Sequence, residues 1–283
     1  MSTVFDARIC ELGEGPFWHP GRCQLFWFDI LGKRMLSRRD GADLEWKFNE
    51  YVSAAGWIDN DTLLIASQSG LYQFEIASGL RVLLHSFNAE KCATRTNDGR
   101  ADPQGGFWIS TMGTSAQEGV GAIYRFHRGK LTKLYSGLTI PNSICFSPDG
   151  HTAYYTDSPT GVIMRQTLDA EGWPVGVASV FVDISGEGML PDGSVVDANG
   201  GLWNARWGAG LVARYFPNGD FDRTVKVPGL LSSCPAFGGK DFSSMFVTTA
   251  REGLDTPSPN DGKVYELILD VCGIPEHRIQ VGA

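Results

Sequence analysis

The chain repeats one pattern six times, and no other feature narrows its possible folds as far. In every unit an apolar run leads through a turn to a second apolar run, and a glycine then opens a third. The second runs read LFWFDI (25–30), TLLIAS (62–67), GFWIST (106–111), TAYYTD (152–157), GLWNAR (201–206) and SMFVTT (244–249), all rich in β-branched or aromatic residues. The connections before them, from HPGRCQ to GGKDFS, carry the Gly, Pro, Asn and Asp that tight turns require. The third runs start at Gly32, Gly70, Gly121, Gly161, Gly210 and Gly262. Weaker fourth runs are EWKFNE, RVLLHSF, LTKLYSG, VASVFVDI and RTVKVPG. The last unit has none of its own, so it must borrow STVFDARIC from the amino terminus or HRIQVGA from the carboxy terminus.

Six units of four short antiparallel strands predict an all-β, six-bladed β-propeller spanning 1–283 as a single domain, its ring closed by a terminal strand. Thr3 to Ile9 is the segment expected to close it. Two separate β domains would leave the glycine at the head of every third run unexplained. With 42% hydrophobic residues, among them 16 Phe, 8 Trp and 8 Tyr, the chain has material for a large core. Trp108 and Trp203 are expected there, between blades.

The net charge is −8 and no run of Lys or Arg tracks a phosphate backbone, which argues against nucleic acid as a partner. The amino terminus lacks a basic start and an apolar core, and no apolar run approaches the roughly eighteen residues of a membrane span. A cytoplasmic protein with no membrane partner is expected. Cys10, Cys23, Cys92, Cys145, Cys234 and Cys272 lie far apart without a CxxC pair, so free, buried thiols are expected rather than a zinc ribbon. The five histidines are scattered and read as turn or surface residues.

In a propeller, residues leading into the innermost strands crowd around one mouth of the channel. Here those residues read Glu14, then Ala54 and Ala55, then Asn97 with Asp98, then Asn142, then Asp192, and last Cys234 with Pro235. Units one, three, four and five supply carboxylates and amides with no His or Cys among them, which suits Ca²⁺, Mg²⁺ or Mn²⁺, and Zn²⁺ also accepts carboxylate oxygen. The competing reading is that Asn and Asp bond turn backbone here; Glu14, between glycines, fits it least. Asn97 is also a candidate substrate hydrogen-bonding group, and Arg95 falls on its side of an extended strand. Asp98 and Asp102 read as turn residues. Glu118, in a Gly-rich loop, is near enough in sequence to overhang the mouth.

No G-x-S-x-G elbow, H-E-x-x-H pair or Walker loop occurs. GAGLVA from Gly208 lacks the following helix that a dinucleotide site needs. Metal-assisted chemistry is the class left in favour.

LGEGPFW, RTNDGRADPQGGFWISTM, IPNSICFSPDGHTAYYTDS, PDGSVVDANGGLWNARWGAG and FGGKDFSSMFVTTAREG together resemble the SMP-30/gluconolactonase/luciferin-regenerating-enzyme family over almost the whole chain. The resemblance implies a six-bladed propeller with one divalent metal held by Glu14, Asn142 and Asp192, and Arg95 and Asn97 in contact with substrate. It also implies a metal-dependent sugar lactonase, opening a gluconolactone-type or pentonolactone ring to the aldonic acid, with Asp192 as the catalytic base or as the group that orients water. The segment GTSAQEGVGA departs from the family pattern, so its acidic substrate contact is absent or moved to Glu118. SAAGW leaves the mouth at the second unit shaped by Ala and Trp57. Two other functions fit the same site: a calcium- or ligand-binding propeller without catalysis, and a hydrolase of another ester.

Overall fold

The computed structural model describes residues 2–87 and 94–282. Six sheets of four antiparallel strands make a propeller ring. Blade one runs outward through Gly13–His19, Gln24–Asp29, Arg34–Arg39 and Ala42–Lys47. Blades two to six start at the axis with Val52–Trp57, Thr94–Ala101, Pro141–Phe146, Leu190–Val196 and Leu231–Gly238. Each of these innermost strands packs on the next, and that of blade six returns to blade one. All six second runs and all six glycine-led third runs are strands. The only helical element among the described residues is a 3-10 turn, Ser158–Thr160.

The amino terminus closes the ring. Ser2–Asp6 pairs antiparallel with Val264–Ile268 as the outermost strand of blade six. Residues 277–282 of HRIQVGA form no strand. From Gly273, whose N–H donates to the Phe242 carbonyl at 2.8 Å, the carboxy-terminal segment runs across the channel end remote from Glu14. There Glu276 pairs with Arg100 at 2.5 Å, and Gln280 N–H donates to the Gly105 carbonyl at 2.8 Å.

The core is divided as the repeat demands, with one apolar cluster at each of the six blade junctions. Trp27, Trp108 and Trp203, all on second strands, are fully buried in three of them. Truncating such a tryptophan to alanine costs about 3–5 kcal/mol. His19 departs from expectation: it is fully buried, its Nε2 3.0 Å from the Asp59 carbonyl, because the turn it begins packs against blade two. Cys10, Cys145 and Cys234 are buried free thiols, Cys23 and Cys272 are exposed ones, and Cys92 lies outside the described residues.

All six innermost strands carry a bulge near the same end, between Glu14 and Phe17, Val52 and Ala54, Thr96 and Gly99, Asn142 and Cys145, Pro191 and Ser194, and Ser232 and Cys234. A bulge breaks the two-residue alternation and re-aims the side chain it contains. Asn97, Asp98 and Asp192 lie within such bulges, whereas Glu14 and Asn142 are the paired residues that lead into theirs. The fit is tight. Gly15 has φ +53°, and a Cβ there would stand 2.2 Å from the Ser53 carbonyl oxygen. A Cβ on Gly193 would stand 2.3 Å from Cys234 Sγ.

Candidate active site

At the bulged ends of the innermost strands, Glu14, Arg95, Asn97, Asn142 and Asp192 line the wall of one cavity of about 390 Å³. Ser158, Trp207, Glu252 and Met112 complete much of the wall, and Thr114, Ser115 and Ala116 supply the part that comes from the Gly-rich loop. Glu118 is exposed and does not line the cavity. The blade-two and blade-six phases need correction by the bulges: Ser53 and Ser233, not Ala54, Ala55, Cys234 or Pro235, occupy the bulge. Trp57 stands at the far end of its strand, donating through Nε1 to the Glu276 carbonyl at 2.8 Å, and takes no part in the mouth.

A directional hydrogen-bond chain crosses three blades. Arg95 Nη1 donates to Asn97 Oδ1 at 2.7 Å, and Asn97 Nδ2 donates to Asn142 Oδ1 at 2.7 Å. Asn142 Nδ2 then donates to Ser158 Oγ at 2.9 Å, and that hydroxyl donates to the Pro191 carbonyl at 2.7 Å, one residue before Asp192. The Asp192 carbonyl accepts from Asn204 Nδ2 at 2.9 Å and from the Ser143 hydroxyl, so the backbone that carries its carboxylate is held from two sides. Glu14 is held by the Gly15 N–H, which donates to Oε2 at 2.9 Å.

Asp98, expected to complete a turn, is instead buried beside the axis, where its carboxylate accepts from the Ile144 N–H at 2.6 Å. Asp102 does complete its turn, accepting from Gln104 and Gly106 N–H at 3.0 and 2.8 Å, and also pairs with Arg125 at 2.6 Å. Ser158 and Glu252 were not singled out by sequence. Ser158 sits in a loop outside the repeated phase, and Glu252 comes from the connection after the second strand of blade six.

Burial and the neighbouring Asp98 carboxylate push Glu14 up to about 8. Burial and the Glu14 carboxylate push Asp192 well above the usual carboxylate range. Burial raises Asp98 to about 6 and draws the Arg95 guanidinium down. Buried like charges at close quarters are unfavourable unless a countercharge offsets them. Arg95 supplies part of it, and the oxygen groups of Glu14, Asn142 and Asp192 are of the kind that would hold a hard divalent cation. Among the described residues no three His, Cys, Asp or Glu side chains group as a metal site.

The family model described as the SMP-30/Gluconolactonase/LRE-like region matches residues 12–251. The chain belongs to that family. It is 36% identical to an L-arabinolactonase of Azospirillum brasilense over 94% of this chain and 91% of the other. A 6-deoxy-6-sulfogluconolactonase of Pseudomonas putida is 30% identical over 94% of each chain. Among solved structures, a calcium-binding protein, regucalcin, of Agrobacterium tumefaciens superposes with a TM-score of 0.97 at 41% identity, covering 99% of this chain and 98% of that one. No helix among the described residues is long and apolar enough to cross a membrane.

Proposed function

We propose that the protein hydrolyses a sugar lactone, such as an aldono-1,4- or 1,5-lactone, to the aldonic acid, using a divalent cation held by Glu14, Asn142 and Asp192. The observation that carries this reading is the convergence of those three side chains with Arg95 and Asn97 on one cavity wall. Relatives named as lactonases at 36% and 30% identity support the substrate class.

Glu14, Asn142 and Asp192 would hold the cation, which when bound would supply Lewis acidity toward the lactone carbonyl and water. Arg95 and Asn97 hold the ring hydroxyls or carbonyl from the blade-three side and fix the ester for attack. Asp192 takes a proton from the attacking water as its oxygen joins the carbonyl carbon. The ring carbon–oxygen bond then breaks, and the same carboxyl returns a proton to the departing ring oxygen. The buried cavity limits competing solvent and strengthens each of these contacts.

A second reading has its own support: the Agrobacterium relative is described as calcium-binding. A pH-stat panel of gluconolactone, pentonolactones and an aryl ester, run with and without chelator, separates the two. Chelator-sensitive opening of a lactone above its spontaneous rate supports the hydrolase. No acceleration of any lactone, with calcium still bound, leaves the binding protein in its place.

A further inference from the structure

The amide of Asn142 is useful to a cation only if its oxygen, not its nitrogen, faces the axis, and a planar amide fits either way round. The hydrogen-bond chain decides the matter from both ends. At one end Arg95 can only donate, so the atom of Asn97 that meets it is Oδ1, and Asn97 presents Nδ2 to Asn142. Asn97 Nδ2 also meets the Pro141 carbonyl, an acceptor, at 3.2 Å. At the other end the Pro191 carbonyl can only accept, so the single proton of Ser158 is spent on it and the Ser158 oxygen must accept from Asn142. Ser158 is buried and opens the 3-10 turn with Pro159 behind it, which restricts its backbone and with it the hydroxyl position.

We propose that Ser158 is a positioning residue that, together with Asn97 at the other end of the chain of hydrogen bonds, holds the facing of the Asn142 amide and thereby tunes the cation affinity of the site. The proposal rests on the cation-site reading above but not on lactone hydrolysis. Removing the Ser158 hydroxyl leaves Asn142 Nδ2 without its acceptor and Asn142 held by Asn97 alone. A carboxylate at position 142 would not need Ser158, because it offers oxygen on both sides.

The test is calorimetric titration of calcium into the metal-stripped full chain with no lactone present, alongside thermal denaturation of each cation-free variant. Ser158→Ala is expected to weaken calcium binding about 10- to 100-fold, the usual effect of losing a partner behind a metal ligand. Ser158→Thr, which keeps the hydroxyl, is expected to bind like the parent, whereas Ser158→Val, the same shape without it, behaves like Ser158→Ala. That Thr and Val pair carries the comparison if the alanine variant does not fold. In an Asn142→Asp background, Ser158→Ala is expected to change affinity by less than about twofold, a non-additivity that a general loss of packing would not produce. Parent-like affinity in Ser158→Ala or Ser158→Val would overturn the proposal. So would the same fold-loss with and without Asn142→Asp. A parent protein that binds no divalent cation would overturn it together with the cation site. Failure of lactone turnover alone leaves these affinities, and the proposal, intact.

Discussion

Asn97 donates through Nδ2 to Asn142 Oδ1 at 2.7 Å across the junction of blades three and four. That one contact joins the two amides that are both candidates for the cation. The Oδ1 of Asn97 accepts from Arg95, and the Oδ1 of Asn142 accepts in turn from Asn97. On the proposed reading Asn97 belongs with the substrate wall and Asn142 with the cation. Asn97→Ala is expected to lower kcat/KM for lactone about tenfold or more, and to weaken cation binding less than loss of a direct ligand does. Steady-state kinetics and calcium titration on one preparation read both effects.

Asp192 is assigned two duties, and Asp192→Asn separates them. The amide retains an oxygen for the cation but cannot take a proton. Turnover is expected to fall by about 10²- to 10⁴-fold, the range that a positioned base contributes. Near-parental activity with the cation bound would remove Asp192 as base.

Gly15 lets blade one approach blade two. Gly15→Ala puts a methyl 2.2 Å from the Ser53 carbonyl oxygen on a backbone at φ +53°. Denaturant unfolding should show a loss of about 2 kcal/mol or more. Calcium binding should weaken as well, since Glu14 is the adjacent residue. A variant as stable as the parent would show that the blades part easily at that point.

Asp102 and Arg125 form a fully buried ion pair away from the cavity, and removing one partner strands the other. Asp102→Ala should lose about 3–5 kcal/mol of unfolding free energy while the folded fraction keeps parental calcium affinity. A joint loss of both would show that blade three transmits strain to the site.

The strand Ser2–Asp6 supplies the fourth strand of blade six from the opposite end of the chain. Deleting Ser2 to Asp6 exposes the Val264–Ile268 edge and opens the ring closure. The melting temperature should drop sharply, and an unchanged one would mean that the innermost strands alone hold the ring.

The repeat was legible because each blade solves the same local problem: a turn rich in Gly, Pro and Asp, then a β-branched or aromatic strand, then a glycine where the chain reverses. Glu14, Asn97, Asn142 and Asp192 were legible as residues at one phase of it, and Arg95, placed on the side of Asn97 by strand alternation, does reach it. The bulges were not legible. An extra residue in each innermost strand shifts the count, which is why Ser53 and Ser233 stand where Ala54 and Cys234 were expected, and why Asp98 turns inward. Ser158 lies off the repeat, and its role depends on a hydrogen-bond polarity that no sequence pattern expresses. The path of the carboxy-terminal segment past Trp57 and Arg100 was hidden for a similar reason: HRIQVGA has strand-like composition, but Ser2–Asp6 already occupies the blade edge that it would need.

The most direct measurement is the rate of lactone opening by metal-stripped protein as a divalent cation is added back in known ratio. Catalysis should be near the spontaneous rate at the start and rise until about one cation per chain is present, as a single three-donor site requires. Full activity in the stripped protein, or no gain at saturating cation, would contradict the account.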